Sequence, residues 1–299
     1  MDVGFIGVGQ MGVHMARHVR EAGFDLVVSD SRKDAAAPLL EAGARWAQTP
    51  AEVAKTCRVV ITCLPTPASV EEVALGPSGL IAAWQAGDIY IDMSTNSVST
   101  VRKIAAEAVG RGVAVLDSPV SGGTKGAEAG TLTLMVGGDA AALQKARPVL
   151  EPMANKIFHL GDVGCGNVAK LVNNLIGLAC NSISAEGMAL GAAAGIDPQA
   201  LYDLLTISTA NNWSLQQYTR TTFKGDFAPG FKISLAYKDI RLAMGLGEEY
   251  GVPLTVGRAV EAHLAAAMAA GLGDKGVDAV ILPLEQATGV EVRVQGDGR

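Results

Sequence analysis

Three short stretches of this sequence hold residue types that could do chemistry. Gly7-Val8-Gly9-Gln10-Met11-Gly12 spells G-x-G-x-x-G. Gly7 suits a tight turn, Gly9 lets backbone approach a pyrophosphate, and Gly12 lets a helix pack closely on a strand. Residues Gly9, Gln10, Met11 and Gly12 would then open a helix, whose free N–H groups and positive dipole end favour phosphate. Asp30 closes the next apolar run, where an acid can hydrogen-bond the ribose hydroxyls of NAD. The plain alternative is a glycine-rich turn without ligand. Asp30 disfavours a 2′-phosphate, whereas Arg32 and Lys33 could pair with one, so NAD is expected and NADP stays open.

The second stretch, DSPVSGGTKGAEAGTLTLMVGG at 117–138, contains Ser121-Gly122-Gly123. Consecutive small residues leave N–H groups accessible, which is one way to hold a carboxylate. A mobile glycine loop is the other reading. The third stretch is GCGNVAKLVNNL at 164–175. Lys170 and Asn174 lie four apart and share a helix face, with Asn173 close by. A lysine partly desolvated in a cleft has a lowered pKa and can give or take a proton near neutrality. Alternatively its stem lies along the helix and its head reaches water.

Other residues read more blandly. Lys238 and Asp239 in FKISLAYKDI fit an exposed pair on a polar stripe. Trp213 walls a pocket or fills the core between helices. Lys125 fits a solvent-exposed lysine. His14 and His18 have metal-like spacing without a third ligand nearby, so no metal is expected. The four cysteines form no C-x-x-C pair or disulfide framework, which makes a reducing cytoplasm the expected compartment.

The elements that must carry these residues follow from periodicity. Apolar, β-branched runs at 3–8, 25–29, 58–64, 89–92, 113–117, 131–136 and 156–160 alternate with helical patterns such as 11–22, 34–42, 97–111 and 139–150. That alternation implies a mostly parallel sheet covered on both faces. Beyond residue 164 the strand-like runs stop. One long helix spans 167–194, and helical patterns follow at 198–207, 232–251, 255–271 and 276–287. The expected organisation is residues 1–163 as a nucleotide-binding α/β domain and 164–299 as an all-helical domain.

Composition narrows the class further. The chain has 299 residues, 49% apolar and 18% charged, which excludes a disordered or coiled-coil protein. A net charge of −6 without a basic run excludes a nucleic-acid footprint. The N-terminus has no secretory signal pattern, and no uncharged apolar run reaches the roughly 18 residues that span a bilayer. The apolar helices at 255–271 and 276–287 suggest a subunit interface.

With these residues in view, the sequence resembles the β-hydroxyacid dehydrogenases, the family of 3-hydroxyisobutyrate dehydrogenase and tartronate semialdehyde reductase. GFIGVGQMGVHMA at 4–16, DSPVSGGTKGAEAGTL at 117–132, GNVAKLVNNL at 166–175 and KDI at 238–240 carry the match along almost the whole chain. The resemblance implies a Rossmann-type domain, a long interdomain helix and an all-α C-terminal domain serving the substrate and oligomerisation. It implies Lys170 as catalytic acid–base, Asn174 as substrate-positioning, and Ser121, Gly122 and Gly123 as the carboxylate cradle. It places Leu64, Pro65 and Thr95 on the nicotinamide side, and Lys238 towards cofactor and substrate. Ser94-Thr95-Asn96-Ser97-Val98 departs from the family's frequent Ser-Thr-x-x-Pro.

The expected activity is NAD(P)-dependent interconversion of a small 3-hydroxy acid and its semialdehyde or keto acid, by a homodimer or homotetramer. Reduction of tartronate, succinic or sulfonated semialdehydes, or of an imine, is the alternative within the superfamily. A dinucleotide-binding module without turnover is the alternative outside it.

Overall fold

The computed structural model describes residues 1–294. By compactness the chain divides into two units, Met1–Lys170 and Leu171–Arg299. The division falls inside a continuous helix, whereas the sequence reading drew the boundary at 163/164.

The first unit is built on nine strands: β1 (Asp2–Ile6), β2 (Asp25–Ser29), β3 (Arg45–Trp46), β4 (Val59–Thr62), β5 (Ile89–Asp92), β6 (Ala114–Asp117), β7 (Val120–Ser121), β8 (Leu132–Gly138) and β9 (Ala154–His159). Their order is β3-β2-β1-β4-β5-β6-β8-β7, with β9 beside β8. β1 to β6 run parallel to one another, and β8 is antiparallel to β6 and β7. Every residue of β4 and β5 is buried, as a sheet covered on both faces requires.

The helices of this unit are α1 (Gly12–Glu21), α2 (Ala37–Glu41), α3 (Pro50–Thr56), α4 (Pro67–Leu75), α5 (Val98–Val109), α6 (Gly123–Ala129) and α7 (Ala140–Leu150). Their starts are local chemistry. Thr49 and Thr66 each cap a helix that opens on proline, and Ser97 and Asp139 cap α5 and α7. Alternate residues of β1 serve opposite faces: Val3 and Phe5 join one apolar cluster and Ile6 the other. The crossover of strand order between β1 and β4 puts the loops after these strands at a topological switch point, where ligands of open α/β sheets bind.

α8 (Cys165–Ala193) runs from the first unit into the second. The second unit adds α9 (Pro198–Thr206), α10 (Trp213–Gln216), α11 (Ile233–Glu249), α12 (Thr255–Ala269) and α13 (Leu282–Thr288). Its core includes Leu178, Met188, Tyr218, Phe223, Ile240, Val260, Leu264 and Ile281.

Several expectations change in detail. The first strand stops at Ile6, because Gly7 turns the chain with φ +88. The pattern at 34–42 becomes a 3₁₀ turn and then α2, broken around Pro38. Residues 123–129, read as a glycine loop, form a short helix. The apolar residues of 255–271 and 276–287 largely fill the second unit's own core, so their composition needs no partner surface to account for it. Although it contains Lys170 and Glu186, α8 is long and apolar enough to cross a bilayer by length and composition, a test that core helices also pass.

Candidate active site

Within the first unit, Gly7 to Gly12 form the turn between β1 and α1. A Cβ on Gly12 would lie 1.9 Å from the Gly7 carbonyl oxygen, and one on Gly7 would lie 2.3 Å from the Cys63 carbonyl oxygen. Both must therefore be glycine for β1, β4 and α1 to pack. Gly9 is different: a Cβ there would meet nothing within 4 Å. Its lack of a side chain is not needed by the fold and leaves room above the backbone. α1 also has no side-chain cap, so no side chain accepts its first N–H groups. An open glycine and an uncapped helix start fit a pyrophosphate.

The Asp30 carboxylate is fixed from both sides. Oδ2 accepts the Val8 N–H at 2.8 Å, and Oδ1 accepts the Arg32 N–H at 2.9 Å. The acid at the end of β2 is thus tied to the glycine turn itself. Arg32 is exposed, and Lys33 lies 5.7 Å over the Trp46 ring.

After β4, Leu64 is half-buried and Pro65 exposed, and the Leu64 N–H donates to Ser94 Oγ at 2.8 Å. Thr95 is half-buried in the loop after β5, between the buried Ser94 and Asn96. Beside them, burial pushes the Cys63 thiol up to about 12, which keeps it protonated and a poor nucleophile. The first unit therefore brings the glycine turn, Leu64 and Thr95 to the same ends of adjacent parallel strands.

Ser121 ends β7, and Gly122 and Gly123 follow with φ +131 and +62. Successive positive φ values suit glycine, and without side chains the backbone there is open to an anion. Both glycines are exposed. Lys125, on α6, is exposed too.

Lys170 is half-buried on α8, one turn before Asn174. The start of that helix is held by Asp117, whose carboxylate accepts the Gly164 N–H and the Asn167 N–H, each at 2.7 Å. Burial raises the Asp117 pKa in spite of these bonds, which lower it.

Within the second unit, Asn174 is 8% exposed and donates Nδ2–H to Asp239 Oδ2 at 2.6 Å. Its own Oδ1 accepts from Asn173, and one amide N–H remains. Lys238 Nζ lies 2.8 Å from Asp239 Oδ1. Asp239 is 3% exposed, which overturns the reading of Lys238 and Asp239 as an exposed surface pair. Trp213, at the start of α10, is 73% exposed and so is not core. Among the described residues no group of three or more His, Cys, Asp and Glu side chains stands together.

Residues 2–161 match the family model described as the NAD binding domain of 6-phosphogluconate dehydrogenase. Residues 164–284 match the one described as NAD-binding of NADP-dependent 3-hydroxyisobutyrate dehydrogenase. The chain belongs to the β-hydroxyacid dehydrogenase family. Like other β-hydroxyacid dehydrogenases it is an NAD(P)-dependent oxidoreductase of hydroxy acids.

Relatives of this dehydrogenase differ in what they are named for. It is 38% identical to 2-(hydroxymethyl)glutarate dehydrogenase of Eubacterium barkeri, over 98% of this chain and 97% of that protein. It is 42% identical to the NAD-dependent L-serine dehydrogenase of Pseudomonas aeruginosa, over 81% and 84%. A solved structure of Mycobacterium tuberculosis 3-hydroxyisobutyrate dehydrogenase with L-serine superposes with a TM-score of 0.87 at 36% identity, covering 95% and 98%.

The sequence alone did not show the roles of two acids of this β-hydroxyacid dehydrogenase. Asp117 and Asp239 each sit in an apolar run, and that placement was the one available signal, since a buried carboxylate needs partners. Their partners lie 50 and 65 residues away.

Proposed function

We propose that this enzyme oxidises a small 3-hydroxy acid with NAD, in the manner of 3-hydroxyisobutyrate dehydrogenase, and that Lys170 is its general acid–base. The observation that carries this reading is the polar line on α8. Lys170 is half-buried one turn before Asn174, and Asn174 is buried with one amide N–H left over. Polar groups inside a helix of Ala, Leu, Val and Ile cost stability unless they are hydrogen-bonded, and Asn174 is held by Asp239 and Asn173.

NAD, when bound, supplies the hydride acceptor. Everything else falls to the chain. The Ser121–Gly123 backbone holds the substrate carboxylate and so sets the distance of the reacting carbon. Neutral Lys170 Nζ takes the hydroxyl proton as the alcohol is oxidised. In the reverse direction the Lys170 ammonium stabilises charge growing on the carbonyl oxygen and then protonates it. The remaining N–H of Asn174 fixes the substrate oxygen. We assign Leu64, Pro65, Thr95 and Lys238 to the cofactor and Trp213 to the substrate.

The fixed Asp30 supports NAD over NADP, because a 2′-phosphate would meet a carboxylate that Val8 and Arg32 hold in place. A homodimer or homotetramer is supported by Ile176, Ile183 and Leu190, seven residues apart on α8 and 59%, 62% and 72% exposed. Ultracentrifugation tests that assembly.

The reaction is tested with a panel of 3-hydroxy acids run with NAD and NADP in parallel, reading the absorbance of reduced nicotinamide. 3-Hydroxyisobutyrate, serine, glycerate and a hydroxy dicarboxylate belong in the panel, and semialdehydes and imines are run in the reductive direction. Lys170→Ala should lower kcat by about 10²–10⁴-fold while NADH still binds. A near-normal kcat would overturn the assignment.

A further inference from the structure

The ends of β4, β5 and β6 are joined to the first turn of α8 by one buried run of hydrogen bonds. It starts at Tyr90, whose hydroxyl lies 2.8 Å from Thr62 Oγ1. Thr62 donates to Asp92 Oδ1 at 2.9 Å, and the Ser94 N–H donates to the same oxygen at 3.0 Å. Asn96 Nδ2 donates to Asp92 Oδ2 at 3.0 Å, and the Asn96 main-chain N–H donates to Asn167 Oδ1 at 2.8 Å. Asn167 in turn gives its Nδ2–H and its main-chain N–H to Asp117 Oδ2. Thr62, Asp92, Asn96, Asn167 and Asp117 are all 0% exposed.

Two features mark this run as specific. First, the packing around it is built for a carboxylate. A Cβ on Gly137 would lie 2.4 Å from Asp117 Oδ1, and one on Gly166 would lie 2.9 Å from Asp117 Oδ2 and 2.3 Å from the Met135 carbonyl oxygen. Asp117 thus takes the space beside two glycines and caps a 29-residue helix from a neighbouring strand. A negative group is favoured at that positive helix end. Second, Asn96 is bonded through its main chain and through both ends of its side chain. Its main chain binds Asn167, and its side chain binds Asp92 and accepts the Ser97 N–H at 2.8 Å. Asn96 supplies the link between the loop and the helix.

Thr95 adjoins Asn96, and Lys170 is one turn beyond Asn167 on α8. We propose that Asp117, Asn167 and Asn96 are positioning residues that hold the Thr95 loop and the Lys170 turn in one register. This rests on the reading of Lys170 as the acid–base. An apolar core would bury this region at lower cost, whereas a fully satisfied polar network selects one arrangement. Proton transfer depends on such selection, since a misplacement of about 1 Å can cost roughly 10²-fold in rate.

The test is a double-mutant cycle between Asn167→Ala and Lys170→Ala on the full chain, with single-turnover rates for the slow variants. Asn167→Ala should lower kcat at least about tenfold, with the NADH Kd, read by fluorescence, within about twofold of wild type. In the Lys170→Ala background the same substitution should cost nothing further, because its effect passes through Lys170. Losses that simply multiply, or an NADH Kd that weakens in step with kcat, would overturn the proposal while leaving Lys170 its role. A near-normal kcat for Lys170→Ala alone would overturn both. If Asn167→Ala does not fold, Asn96→Ala and Asn167→Ser, run through the same cycle, decide the matter by the same outcomes.

Discussion

Asn174 and Asp239, 65 residues apart in the chain, share a 2.6 Å hydrogen bond, and the other oxygen of the same carboxylate pairs with Lys238 Nζ at 2.8 Å. One buried acid therefore orients two of the side chains assigned to substrate and cofactor. An amide left to itself could rotate and offer its oxygen in place of its N–H. Asp239, being an acceptor, decides which end of Asn174 stays available.

Replacing Asp239 with Ala should raise KM for the hydroxy acid roughly tenfold, a loss of about one hydrogen bond. It should also destabilise the second unit by about 3 kcal/mol, because a buried pair loses one partner. Asp239→Asn keeps an acceptor for Asn174 and should recover part of the KM. Steady-state kinetics and thermal unfolding check both effects. A KM unchanged in Asp239→Ala would mean that Asn174 does not depend on this contact.

The glycine turn makes a sharper prediction, because its glycines have different reasons. Gly9→Ala meets no atom within 4 Å in the fold. It should leave Tm within about 2 °C of wild type, as neutral surface changes do. It should weaken NADH binding at least about tenfold by obstructing one or two charge-assisted bonds to phosphate. Gly12→Ala collides with the Gly7 carbonyl oxygen and should lower Tm itself. Thermal unfolding with and without NADH separates the two. An undiminished NADH shift in Gly9→Ala would remove the phosphate from this turn.

Much of this site was readable in one dimension. The glycine turn, the acid closing β2 and the Lys170/Asn174 spacing are local patterns whose chemistry follows from a few neighbouring residues. Asp117 and Asp239 were not readable in that way. Each works through a partner brought near by tertiary packing, and next to Lys238 the second of them imitates a surface ion pair. The short helix after Gly122 was missed because GTKGAEA has no apolar period long enough to betray it.

Cofactor choice turns on Asp30. Both of its oxygens accept main-chain N–H groups, so it cannot swing aside without breaking the contacts that shape the turn. A 2′-phosphate set against it meets like charge, which costs several kcal/mol at an interface. The enzyme should prefer NAD to NADP by about a hundredfold in kcat/KM, and Asp30→Ser should shrink that ratio, with Arg32 then able to meet the phosphate. Equal use of both cofactors by the wild type would refute the argument.

Asp278, ahead of α13 in the second unit, gives a pH signature. Burial pushes its pKa up to about 6. The folded state therefore binds this proton more tightly than the unfolded chain does. Its stabilising contribution is complete at the pH where a free aspartate is still protonated, and is lost as pH rises through about 6. At neutral pH the half-buried carboxylate costs the fold up to about 3 kcal/mol, the free-energy equivalent of a shift of roughly two units. Asp278→Asn removes the titration and keeps the shape. Its Tm advantage over wild type should be small near pH 4, open between about pH 4 and 6, and level off above about 7. The comparison is the difference between two melting curves at each pH, so acid effects common to both proteins cancel. A difference that stays flat from pH 4 to 8 would place the Asp278 carboxylate in water.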